Sequence, residues 1–169
     1  MSNHAENPPS TSTPAERSEN RKGGRNGALF AKLVWHTAYA CGNPVIDAQH
    51  RQLFDHANAL LTAVSLEHPV QEINRCIATL IEEVVQHFRD EEIILTAANF
   101  SAIDQHILLH RQLTAKAVAL AVRFHSGALE FTELYQFLAY EVVAQHMLGA
   151  DREFFPCFAT TPAQTSVPA

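Results

Sequence analysis

Two pairs of residues sit one helical turn apart: His87 with Glu91, and His106 with His110. Side chains at i and i+4 project from the same face of an α-helix about 6 Å apart. Each pair can therefore converge on one ion or on two adjacent ones. Either pair alone is weak evidence, because a chain with ten histidines often shows His-x-x-x-His by chance. What gives them weight is that His50, His87, Glu91, His106, His110 and His146 all fall where an apolar residue belongs on a helix facing a core. A buried imidazole without a partner costs a few kcal/mol. Five of them plus a carboxylate would consume most of a domain's stability of roughly 5 to 15 kcal/mol. A shared metal removes that conflict.

The ligand count constrains the chemistry. Asp151 lies five residues beyond His146, about 140° around a regular α-helix. It joins the set only if the helix loosens near Gly149, for instance into a π-type turn. Five imidazoles and two carboxylates are too many for one ion and suit two, with Glu91 and Asp151 bridging and the histidines divided three and two. The two-His ion then keeps an open position. Imidazole-rich sets suit iron, copper or zinc, and an open position invites O2. The ferritin-like oxygen-activating di-iron proteins use four carboxylates and two Glu-x-x-His motifs. This sequence contains no Glu-x-x-His. Fewer anionic ligands stabilise high-valent metal less well, which favours reversible O2 binding over oxygenation.

Four helices must position these residues. No proline occurs between Pro69 and Pro156, and the only glycines there are Gly127 and Gly149. Apolar residues recur at i, i+3 and i+4 over about 45–67, 70–98, 102–125 and 129–149. His68-Pro69, Asn99-Phe100-Ser101 and Ser126-Gly127 punctuate them, with Ser101 a candidate N-cap. Short turns force neighbouring helices to run back alongside each other, so the expected fold is all-α: an antiparallel up-down-up-down four-helix bundle. An irregular arm precedes it. The expected organisation is a disordered tail over 1–27, the bundle over 28–159 and a second disordered tail over 160–169, both tails lacking the apolar content to form a core.

Composition excludes several classes. The 169 residues carry 12 Lys+Arg against 18 Asp+Glu, a net charge of −6, with no concentrated basic patch of the kind nucleic acid requires. Residues 1–27 hold no apolar run that could act as a signal peptide, and no stretch is long and apolar enough to span a bilayer. Cys41, Cys76 and Cys157 form no C-x-x-C pair, so neither a disulfide framework nor a thiolate zinc site is indicated. The chain is expected to be cytoplasmic, with no nucleic-acid partner and no membrane insertion. His4, His36, His56, His68 and His125 read as ordinary tail, loop or surface residues. The acidic face of Glu82, Glu83, Asp90 and Glu92 reads as a solvated surface. Asp47 is expected either to cap a helix or to accept a hydrogen bond from a ligating histidine.

Trp35, Tyr39, Gly42, the run Ile46-Asp47-Ala48-Gln49-His50, His87-Phe88 with Glu91-Glu92, His106-x-x-x-His110, and His146 with Asp151 together resemble a bacterial hemerythrin over about 35–155. The resemblance implies two iron ions. His106, His110 and His146 would hold one, His50 and His87 the other, and Glu91, Asp151 and an oxo or hydroxo group would bridge them. It further implies O2 binding at the His50/His87 iron, beside a pocket lined by Phe88, Val142, Val143 and Met147, with small anions such as azide competing. The implied role is oxygen storage, transport or delivery, with an oxygen-consuming protein as partner, and no enzymatic activity. The alternatives are an oxygen or redox sensor acting through a partner, and a di-iron peroxidase or nitric oxide scavenger. Val142 and Val143 stand where the family usually has Trp and Leu, Phe100-Ser101 replaces its Tyr-Pro, and Leu95 its Met. The valines imply a wider pocket.

Overall fold

A computed structural model describes residues 31–159. The expected tails, 1–27 and 160–169, lie outside the described residues.

Among the described residues there are helices and no strands. A 3-10 turn, Thr37–Tyr39, leads into α1 (Pro44–Ser65), followed by α2 (Val70–Ala97), α3 (Ile103–His125) and α4 (Phe131–Gln136). α4 runs on into a π-helical segment, Phe137–Met147, and a final 3-10 helix covers Ala150–Cys157. Successive helices pack side by side, and the π segment closes the ring against α1. This is the expected four-helix bundle. No helix of the described residues is long and apolar enough to cross a membrane.

Local sequence sets the boundaries. Asn43 caps α1, its Oδ1 accepting from the N–H groups of Val45 (3.0 Å) and Ile46 (3.3 Å), and Pro44 fills the first helical position, where no N–H is needed. α1, α2 and α3 end alike. A residue in left-handed conformation (Glu67, Asn99, Gly127) is followed by one whose N–H returns to a carbonyl five residues back: His68 to Ala63, Phe100 to Leu95, Ala128 to Arg123. Ser101 does not cap α3. The helix starts one residue later, with Ala102 at the N-cap and no side-chain cap.

The fourth helix departs most from expectation. The loosening anticipated near Gly149 lies upstream and extends over eleven residues. At Leu148 and Gly149 the helix breaks, and Asp151 stands on the separate 3-10 helix. The wider π turn re-aims the residues from Phe137 onward, and the break lets Asp151 face inward beside His146.

The apolar interior has two parts. The main cluster runs along the bundle and includes Leu53, Phe54, Leu80, Val84, Phe88, Leu113, Leu134, Val142 and Met147. A smaller one, with Cys41, Ile46, Leu95, Phe100 and Phe154, closes one end. The histidines lie between the two.

Candidate metal centre

All seven residues singled out by spacing come together. None of His50, His87, Glu91, His106, His110, His146 and Asp151 is more than 6% exposed. α1 supplies His50, α2 His87 and Glu91, α3 His106 and His110, the π segment His146, and the last 3-10 helix Asp151. Their metal-ligating atoms fall into two sets, each within 4.8 Å: Glu91, His106, His110 and His146, and His50, His87, Glu91 and Asp151.

Each carboxylate faces both sets. Glu91 Oε1 lies 2.7 Å from His106 Nε2 and 3.3 Å from His110 Nε2, whereas Oε2 lies 3.5 Å from His87 Nε2 and 3.8 Å from His50 Nε2. Asp151 Oδ1 is 3.2 Å from His146 Nε2 and 3.5 Å from His106 Nε2, and Oδ2 is 3.4 Å from His50 Nε2. Within the sets, the Nε2 atoms of His50 and His87 are 3.0 Å apart and those of His110 and His146 2.9 Å. Two nitrogens bound at a right angle to one ion, about 2.1 Å from each, would lie about 3.0 Å apart.

Electrostatics favours a cation here. Burial, and then the neighbouring imidazoles, hold His110 down to about 2 and His87 down to about 3. Burial lowers His146 to about 4 and lowers His106 as well. These rings are neutral at pH 7, and a neutral imidazole has one nitrogen lone pair to offer. Burial and the adjacent Asp151 push the Glu91 carboxyl well above the usual carboxylate range. Burial also acts to raise Asp151, but His146 and His50 outweigh it and hold it down at about 2. Two carboxylates sharing one buried site ionise at different pH. Glu91 Oε2, both oxygens of Asp151 and Nδ1 of His146 are buried with no hydrogen-bond partner. Such orphans are rare in native cores, and a pair of cations among these oxygens and nitrogens satisfies all but the last. The residues present therefore fit a metal centre.

A second layer fixes the rings. His87 Nδ1–H donates to Gln49 Oε1 at 3.1 Å, and Gln49 Nε2–H donates to Asp90 Oδ2 at 2.7 Å. His110 Nδ1–H donates to Glu92 Oε1 at 3.0 Å. This network assigns the proton to Nδ1 and leaves Nε2 free to ligate. Glu92 and Asp90 are therefore not merely part of a solvated face. Glu92 is one residue, or 100°, from inward-facing Glu91, and that adjacency was the available signal. Asp47 plays neither expected role. Its carboxylate accepts from the N–H groups of Cys41 (2.7 Å) and Gly42 (3.2 Å), tying the arm to α1.

Apolar groups wall the site. Phe88 stacks on His110 with centroids 3.8 Å apart and 7° between planes, and meets His146 edge-on at 5.1 Å. Val142, Val143 and Met147 are buried beside it in the main core. Phe100 and Phe154 meet His106 edge-on from the opposite end. Trp35 packs edge-on against Phe54 beneath the Arg51 guanidinium and lies 6.3 Å from His50. His36, His56, His68 and His125 are exposed or half-buried away from the cluster, and His4 lies outside the described residues.

An all-α bundle whose helices each deliver imidazole to one buried, carboxylate-containing cation site defines a class of metal-binding bundle. Residues 41–158 match the family described as Hemerythrin HHE cation binding domain, and the chain belongs to the hemerythrin family. It is 27% identical over 132 residues to a bacteriohemerythrin of Methylococcus capsulatus, covering 77% of this chain and 99% of that one. It is 23% identical over 121 residues to a myohemerythrin of Riftia pachyptila, covering 72% and 89%. The crystal structure of a wild-type hemerythrin superposes with a TM-score of 0.68 at 26% identity, over 77% of this chain and all of that one.

Proposed function

We propose that the chain binds O2 reversibly at a di-iron centre held by His106, His110 and His146 on one side and His50 and His87 on the other, with Glu91 and Asp151 bridging. The observation that carries this reading is the division of both carboxylates, each presenting one oxygen to a three-imidazole set and the other to a two-imidazole set. Two imidazoles against three leaves one coordination position for an exogenous ligand. When bound, the iron pair supplies the electrons that make O2 binding reversible without an external reductant.

The chain's own residues do the rest. Gln49 and Glu92 hold the His87 and His110 rings in the ligating tautomer. Phe88, Val142, Val143 and Met147 exclude water and offer no proton to an oxygen species, which favours binding and release over turnover. Storage, transport or delivery of O2 to an oxygen-consuming partner follows from such a site, and small anions such as azide would compete for it. The three cysteines are free, in keeping with a reducing cytoplasm. Iron analysis should give two ions per chain, and O2 added to the anaerobic ferrous protein should produce an absorption that vanishes on degassing. One metal per chain, or irreversible bleaching with turnover of peroxide or nitric oxide, would overturn the reading.

A further inference from the structure

Among the described residues, a cavity of about 280 Å³ lies in the seam between α3 and the π segment, with His146 in its lining. Gln112 and Gln145 stand at its rim, Leu113 lines its side, and the Lys116–Glu141 ion pair forms one end. That pair joins the two helices through two contacts, 2.6 and 2.7 Å, between Lys116 Nζ and the Glu141 carboxylate oxygens. His146 is only 1% exposed and its Nε2 is committed to the cluster. Its ring is held less firmly than two others. His87 and His110 each have Nδ1 anchored by a side chain from a neighbouring helix, whereas His146 Nδ1 is buried without a partner. The least anchored imidazole thus borders the cavity, on the helix whose backbone is the least regular.

We infer that this cavity is the vestibule through which divalent metal ions enter the three-imidazole set, and that Lys116 and Glu141 set the charge at its mouth. The inference rests on the metal-centre reading above. Glu141 attracts an approaching cation, and Lys116 neutralises most of that attraction. Gln112 and Gln145 offer carboxamide oxygens on the way in, and the His146 ring, unanchored at Nδ1, can turn toward the ion by giving up only its Nε2 contacts with His110 and Asp151.

Cobalt(II) uptake by the metal-free full-length chain tests this, followed by visible absorption after rapid mixing at low ionic strength. Removing one charge beside a divalent ion's path should change the uptake rate by about two- to fivefold. Lys116→Gln should accelerate uptake and Glu141→Gln slow it, with both rates converging on the parent value near 0.5 M NaCl. Gln112→Trp should block the mouth and slow uptake at every salt concentration. Ala78→Trp, on the α2–α3 face, should leave the rate alone. A purely structural ion pair would give accelerations of the same sign in both charge variants, and that result overturns the inference. So does normal uptake in Gln112→Trp. A parent chain that takes up no cobalt refutes the metal centre itself, whereas normal uptake with unmoved variant rates refutes only the vestibule.

Discussion

Acid should unfold the metal-free chain far sooner than the metal-loaded one. His87, His110 and His146 have folded-state values of about 3, 2 and 4, all below the roughly 6.5 of an unfolded histidine. Below pH 6.5 the unfolded chain therefore takes up protons that the folded chain refuses, and stability falls as pH falls. Each ring costs about 1.4 kcal/mol per pH unit while pH stays above its folded value. Between pH 6.5 and 5 that amounts to about 2 kcal/mol each, or about 6 for the three. Glu91 acts in the opposite sense. Its raised carboxyl keeps a proton in the fold that the unfolded chain releases above the ordinary carboxylate range, which offsets part of this loss. Even partly offset, a loss of this order is a large share of a domain's stability. Bound metal occupies Nε2 of each ring and shifts the transition to lower pH, until protons displace the ion. Urea unfolding at pH 7, 6 and 5, read by far-ultraviolet circular dichroism on metal-free and zinc-loaded protein, measures this directly. A metal-free chain whose stability at pH 5 stays within about 1 kcal/mol of its value at pH 7 would refute the assignment of neutral, buried imidazoles.

Three further outcomes are expected. Glu92→Leu and Gln49→Leu should each weaken metal affinity about 10- to 100-fold with helix content unchanged, because each removes the acceptor that fixes a ring; competition with a chelator measures it. Val142→Trp should narrow the pocket wall and slow autoxidation of the oxygenated iron protein, and an unchanged or faster rate would count against the widened pocket. Gly42→Ala should lower stability by about 1 to 3 kcal/mol. Gly42 has φ +96, and a Cβ there would meet the Phe158 carbonyl oxygen at 3.3 Å, so the thermal midpoint should drop without loss of the cluster's metal capacity.

Much of this molecule was legible in one dimension. Helical periodicity placed four helices to within a few residues, and polar ligands on otherwise apolar stripes exposed six of the seven members of the cluster, with Asp151, off the stripe, joined to them by its nearness to His146. Those signals are local, since a residue's face on a helix depends on its position modulo 3.6. Ser101 misled because a capping residue type does not fix where the first turn closes, and Phe100 ended the preceding helix one residue before it. Asp47 misled for a related reason. Its carboxylate reaches backbone N–H groups of the preceding arm, whose path no periodicity encodes.

The sequence by itself determined which side chains would be costly to bury without a cation, and on which helix each would ride. Ligand count and resemblance imply a division of three against two, and the tertiary structure supplies the geometry that brings those sets together. The distances by which each carboxylate faces both sets, and the recruitment of Gln49 and Glu92, depend on the rotation and separation of neighbouring helices, and spacing within one helix carries no information about these. The same holds for the π segment. A loosened fourth helix was foreseeable from the five-residue gap between His146 and Asp151, but its extent, from Phe137 to Met147, was not.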